Sequence, residues 1–250
     1  MKIFWTLVRR ELSAFFFSIT GYVIIAAVTF LIALSFVVLM TNLGSDPSSM
    51  PVTALFYQTY FFWLIVLLAA PVITMRLFAL EKFSGTFETL MTTPVEDLQV
   101  VAAKFTAAII FYIVMWTPML LCLFAVRHFT NQPGTLDLGT IGGMYLGVFL
   151  VGCLFLSLGC FASALTRSQM AAATISFVLG VSLFSLGFLA EAISSAAQWK
   201  THVLSYFNLF GQMGDFARGV VDTRTVIFYA SLTLFFLFLT LRVVESRRWK

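Results

Sequence analysis

The sequence predicts an all-α, polytopic membrane protein: six transmembrane helices, an N-terminal interfacial amphipathic helix, and a short cytoplasmic helix between the second and third spans. Three observations predict it. Of 250 residues, 60% are hydrophobic and only 10% charged, against roughly 25% charged in a soluble domain. Six separate runs reach the about 20 apolar residues that a bilayer crossing needs. The polar residues gather into islands, the densest being 81–97, EKFSGTFETLMTTPVED, between two apolar runs.

Residues 2–16 form the first element. On a helical wheel Lys2, Thr6, Arg9, Arg10 and Ser13 fall on one side and Phe4, Val8, Leu12 and Phe15 on the other. That pattern predicts a helix lying in the interface, its cationic face toward anionic headgroups and its apolar face in the acyl boundary. A basic flank that only sets topology is the blander alternative. Glu11 projects from the apolar side and is expected to meet an arginine or another protein.

The spans are expected at 19–40, 56–75, 105–126, 141–163, 169–190 and 225–242. The first is too long for a removable signal peptide and no Ala-x-Ala cleavage pattern follows it, so it is expected to stay. With both termini cytoplasmic, the inner segments hold Lys2, Arg9, Arg10, Arg76, Lys82, Lys104, Arg167, Arg242, Arg247, Arg248 and Lys250. The outer ones hold only Arg127, Lys200, Arg218 and Arg224. The excess of inner lysine and arginine sets this orientation and puts the 81–97 island in the cytoplasm.

No span carries a charged residue near its centre, which disfavours a proton- or ion-coupled carrier. No inverted repeat accompanies the pattern. Pro71 and Pro118 are expected to bend the second and third spans. Gly143 and Gly147, and Ser176 and Gly180, form small-xxx-small pairs that predict close helix packing, within one chain or between two. Cys153 and Cys160 share a face with Gly152 and Gly159 and are read as an interface stripe.

Chemistry is sparse. The net charge of +4 and pI near 9.1 come from basic residues at span ends, not from a basic surface interleaved with aromatics, so no nucleic acid is expected. There is no HExxH, no GxSxG and no Walker A sequence. Cys122, Cys153 and Cys160 make no CxxC pair, and His128 and His202 stand alone. No catalytic, cofactor-binding or metal-ligating residue is expected. The 29 phenylalanines suit a lipid-like cargo and ordinary membrane packing equally, which leaves the substrate open.

Within the island, Ser84-Gly85 makes a turn, Thr86 can cap a helix, and Phe87, Leu90 and Met91 recur at helical spacing until Pro94. A short surface helix over 81–93 follows. The loop 191–224 carries Leu204, Tyr206, Phe207, Leu209, Phe210, Met213 and Phe216, too apolar for a solvated loop, with glycines 211, 214 and 219 between them.

The run Arg76-Leu77-Phe78-Ala79-Leu80-Glu81, then Ser84-Gly85-Thr86-Phe87-Glu88-Thr89-Leu90-Met91-Thr92-Thr93-Pro94-Val95 and Lys104-Phe105, resembles the first cytoplasmic loop of ABC-2 type permeases. Arg10-Glu11-Leu12 with Phe15 and Phe16 is similar to the family's opening helix. Phe216-Ala217-Arg218-Gly219-Val220-Val221-Asp222 and Glu245-Ser246-Arg247-Arg248-Trp249 resemble its gliding-motility branch. Leu80 and Ala103 depart from the pattern, standing where an acidic residue and a glycine are usual.

The resemblance implies a permease subunit of an ATP-binding cassette transporter, an exporter, in the inner (plasma) membrane. It implies a separate ABC ATPase subunit as partner, holding the ATP, and a second permease subunit, identical or related. The helix at 81–93 becomes a coupling helix, with Glu81, Gly85, Thr86, Glu88, Leu90 and Thr92 as the ATPase contact and Arg9, Arg10 and Glu11 beside it. The 191–224 loop becomes a re-entrant outer gate carrying Phe207 and Phe210. The alternative is a non-transporting subunit that passes ATPase strokes to an envelope or motility machine.

Overall fold

Long uninterrupted apolar sequence, with its backbone groups shut off from water, has one local solution in lipid: hydrogen bonds closed within a helix. The computed structural model describes residues 2–45, 56–57, 59–86, 96–130, 138–192 and 206–248. The described elements are α1 (Lys2–Phe16), α2 (Ile19–Ser45), α3 (Tyr60–Thr74), α4 (Ala79–Ser84), α5 (Asp97–Thr130), α6 (Leu138–Leu165), α7 (Gln169–Ala192), α8 (Leu209–Ala217) and α9 (Thr223–Arg248). Among the described residues there is no strand. Six stretches are long and apolar enough to cross a membrane, one each from α2, α5, α6, α7 and α9 and one running from α3 through α4. The chain is a polytopic, all-helical membrane protein.

The helix α6 is the axis of the bundle. In its most apolar window 83% of residues are buried, against 28% in α2 and 17% in α9. Small residues explain why so many neighbours reach it. A Cβ on Gly152 would overlap the Tyr112 ring of α5, and one on Gly159 would overlap the Thr74 side chain of α3. At the far end, a Cβ on Gly143 would stand 2.9 Å from the Phe216 carbonyl oxygen, and one on Gly147 2.8 Å from the Met213 sulfur, both in α8. Gly143 and Gly147 therefore pack against this chain's own α8, one of the two arrangements the spacing allowed. Cys153 and Cys160 lie buried in the same core.

Aromatic side chains fill the space between α3, α5 and α7. Phe62 and Trp116 approach at 5.4 Å between ring centroids, Tyr112 and Trp116 at 6.1 Å, and Trp63 and Phe184 at 4.8 Å. Phe30, Leu121, Ile227 and Leu234 are instead exposed on the outside of the bundle, as lipid-facing positions are.

Two features differ from the sequence expectation. The apolar face of α1 lies against protein: Val8 is buried on Ala103 and Ala107 of α5, with Phe4, Leu7, Leu12 and Phe15 around it. Alanines one turn apart on α5 leave a shallow groove, and a neighbouring helix fills it more densely than a lipid tail can. The second difference is that α5 begins at Asp97, so Lys104 sits two turns inside the helix, where it is only 2% exposed. The apolar run alone had put the start of that span just after it. The joint between α1 and α2 is tight because Gly21 lets its backbone meet the Phe15 carbonyl, where any Cβ would collide.

Candidate functional site

The site is assembled where α3 leaves the bundle. Phe78, which precedes α4, offers no side-chain cap, yet the helix start is satisfied from another helix: Phe78 N–H and Ala79 N–H both donate to Ser163 Oγ of α6, each at 3.1 Å. The same hydroxyl donates to the Met75 carbonyl at 3.3 Å. Lys82 Nζ donates to the Ala164 carbonyl near the end of α6, where the helix dipole welcomes a cation. One serine and one lysine thus clamp α4 to α6. Gly85, with φ of 74°, ends α4 in the left-handed region that glycine enters at no steric cost. Past it, Thr86 Oγ1 and Ser84 Oγ are hydrogen-bonded at 2.8 Å.

Four charges lock α1, α4 and α5 together. Lys104 Nζ lies 2.8 Å from Glu81 Oε1 and 3.1 Å from Glu11 Oε1. Arg10 bridges the same two carboxylates at 3.1 Å and 2.7 Å. The Phe78 ring lies 5.4 Å from Lys104 Nζ. Lys104 is buried away from water, so the two carboxylates in contact with it stand in for the hydration it lacks. Burial alone would push the Glu11 carboxyl upward, but the Lys104 ammonium and the Arg10 hydrogen bond outweigh it and hold it below the ordinary carboxylate range. Burial opposes the Arg10 charge in the same way, and its bond to Glu11 overcomes this and raises it above the usual guanidinium value.

Of the sequence-predicted coupling residues, Glu81 faces inward into this cluster, whereas Gly85 and Thr86 are exposed. Glu88, Leu90 and Thr92 lie outside the described residues. Arg9 is exposed, Arg10 half exposed, and Glu11 turned into the cluster. Phe207 and Phe210 are partly buried at the opposite end of the bundle: Phe207 meets Phe228 of α9 at 5.3 Å, and Phe210 stacks on Trp63 of α3 at 6.4 Å. The two candidate regions are therefore separated by the length of the spans. Ser163 and Lys82 escaped sequence reasoning, because nothing local marks a serine as the cap of a distant helix. Lys104 counts in the sequence only as one of the inner basic residues and as part of the Lys104-Phe105 match, and its two carboxylate partners are not foreseen there.

Nothing among the described residues brings three His, Cys, Asp or Glu side chains together to hold a metal. What the arrangement can do is mechanical: it joins α1, the foot of the second span and the start of the third into one rigid corner. No curated protein matches the chain. Residues 16–244 match the family described as ABC-2 family transporter protein. That match takes in the first five candidate spans whole and the sixth as far as residue 244, and it shows that the chain belongs to the ABC-2 family, as a permease subunit of an ABC transporter.

Proposed function

We propose that this permease subunit works in an exporter powered by a separate ATPase, which grips the segment 81–93 together with the exposed face of α1. The ATP is held by that partner. A second permease subunit, identical or related, completes the complex in the inner (plasma) membrane, with both termini of each chain cytoplasmic. The export direction rests on the family likeness.

The observation that carries the mechanical part is the bond between Glu81 and Lys104. Glu81 stands four residues before the exposed Gly85, and Lys104 belongs to the third span. A displacement applied at Gly85 and Thr86 cannot move α4 alone, because Lys104 and Arg10 tie it to α5 and α1, and Ser163 ties it to α6. A rigid element of this kind, seated in a partner's groove, levers the spans it is fixed to.

The test is co-purification from the native membrane, with Glu88→Lys as the variant. The wild-type chain is expected to bring an ABC ATPase with it. The variant is expected to lose that subunit and ATP-driven transport while keeping its helical content by circular dichroism. Undiminished ATPase association and transport in the variant would remove the proposed contact. ATP-dependent accumulation in inside-out vesicles checks the direction, and accumulation only in right-side-out vesicles would reverse it.

A further inference from the structure

The corner also encloses a cleft of about 300 Å³, walled by α1, the end of α3, α4 and α5. Its charged lining is Arg10, Arg76 and Lys104 against Glu11 and Glu81, three positive charges and two negative. Arg10, Lys104, Glu11 and Glu81 neutralise one another in the ion-pair cluster. Arg76 is the surplus charge. Its guanidinium donates to Ser18 Oγ at 3.2 Å and to Thr20 Oγ1, both neutral, and among the described residues it makes no ion pair. Glu81 also lines this cleft, and its Oε2 is buried with no hydrogen-bond partner among the described residues.

The rest of the lining is apolar, from Ala14, Phe15, Leu77 and Leu80. Just outside, Phe17 is 88% exposed and Ile19 83%, at the level where the first span begins. A soluble anion has no use for such a wall, whereas a phospholipid's glycerol and upper acyl chain do. Ligand clefts begin at about 300 Å³, enough for a headgroup with its tails left outside.

We propose that this cleft holds the headgroup of an anionic phospholipid from the leaflet on the α1 side. The phosphate sits on Arg76. One net negative charge on the lipid cancels the one surplus positive charge of the site, so a phosphatidylglycerol-type headgroup fits better than a zwitterionic one. The inference does not depend on the ATPase contact and holds for the membrane subunit alone.

The experiment is native mass spectrometry of the full-length chain, delipidated in detergent and titrated with phosphatidylglycerol, phosphatidylethanolamine or glycerol phosphate. Phosphatidylglycerol is expected to bind about tenfold more tightly than phosphatidylethanolamine, a difference of about 1.4 kcal/mol, and glycerol phosphate not measurably. Arg76→Gln is expected to abolish the preference, while Arg242→Gln, which removes an exposed arginine paired with Glu245 on α9, leaves it intact. Because Arg76 also ties down Ser18 and Thr20, Leu80→Trp is the second variant: it fills the cleft without altering a charge. Lost phosphatidylglycerol binding with unchanged helicity in Leu80→Trp upholds the site, and retained binding overturns it. Equal affinity for the two lipids, or equal effects of Arg76→Gln and Arg242→Gln, also overturns it. Tight binding of glycerol phosphate would make it a soluble-phosphate site, and displacement of the lipid by the co-purified ATPase would assign the cleft to a protein side chain; either result refutes the lipid assignment.

Discussion

Lys104 Nζ, in the third span, lies 2.8 Å from Glu81 Oε1, at the foot of the second, and the lysine is 2% exposed. A buried ion pair of this sort is a poor source of net stability, since desolvation consumes most of the Coulomb gain. Its consequence is specificity of position: neither helix can slide or turn without stranding a charge.

The asymmetry between breaking and replacing the pair gives the first prediction. Lys104→Ala leaves Glu11 and Glu81 facing each other through Arg10 alone and is expected to destabilise the chain by about 3–5 kcal/mol. The triple variant Lys104→Met, Glu11→Leu, Glu81→Leu removes the three more buried charges, leaves Arg10 half exposed to water, and is expected to recover most of that loss. Thermal unfolding in detergent measures both. If the triple variant is no more stable than Lys104→Ala, the cluster does not act as a unit.

The pH dependence follows from the Glu11 shift. Its folded-state carboxyl is held below its ordinary value by Lys104 and Arg10, after burial has pulled the other way. A depressed carboxylate contributes stability that is fully present above the unfolded value of about 4.3 and is lost as pH falls through the lower folded value. The wild type is therefore expected to exceed Glu11→Gln in melting temperature at neutral pH, with the gap narrowing only below the ordinary carboxylate range. A gap that closes already between pH 6 and 7 would mean that some other group controls the corner.

Packing along α6 yields a third prediction. A Cβ on Gly159 would overlap the Thr74 hydroxyl and methyl, and Thr74 Oγ1 already donates to the Ala70 carbonyl at 2.8 Å, which holds its rotamer. Gly159→Ala is expected to cost about 1–3 kcal/mol by overpacking. Adding Thr74→Ala removes two of the three colliding atoms and is expected to restore part of the loss. Additive losses in the double variant would show that the collision is relieved elsewhere.

The six long helices were legible because lipid imposes a rule on length and polarity that each segment meets by itself. The amphipathic face of α1 was legible for the same reason, since Val8, Leu12 and Phe15 recur at helical spacing whatever they touch. What they touch was not legible, because the groove that takes Val8 is made by Ala103 and Ala107, two residues with no signature of their own. The charge cluster was hidden by distance along the chain: Lys104 and Glu11 are 93 residues apart, and Ser163 caps a helix start 85 residues upstream. A lone charge announces that it has a partner, without saying which.

The last prediction concerns Phe207 and Phe210, proposed as an outer gate. Phe207 makes an edge contact with Phe228, and a Cβ on Gly187 of α7 would stand 2.8 Å from the Phe207 carbonyl oxygen. Phe210 stacks on Trp63, so this end of the chain is held at once by α3, α7 and α9. Backbone near membrane depth persists only when protein covers it or when it lines a cavity, and the two cases differ in accessibility. Cysteines placed at 207 and 210 are expected to resist a bulky aqueous thiol reagent in the resting complex and to label at least severalfold faster during ATP turnover. If movement of α3 at the Glu81 corner opens this end, Lys104→Ala should abolish the turnover-dependent increase without exposing the resting sites. Free labelling in every nucleotide state would show that neither phenylalanine gates anything.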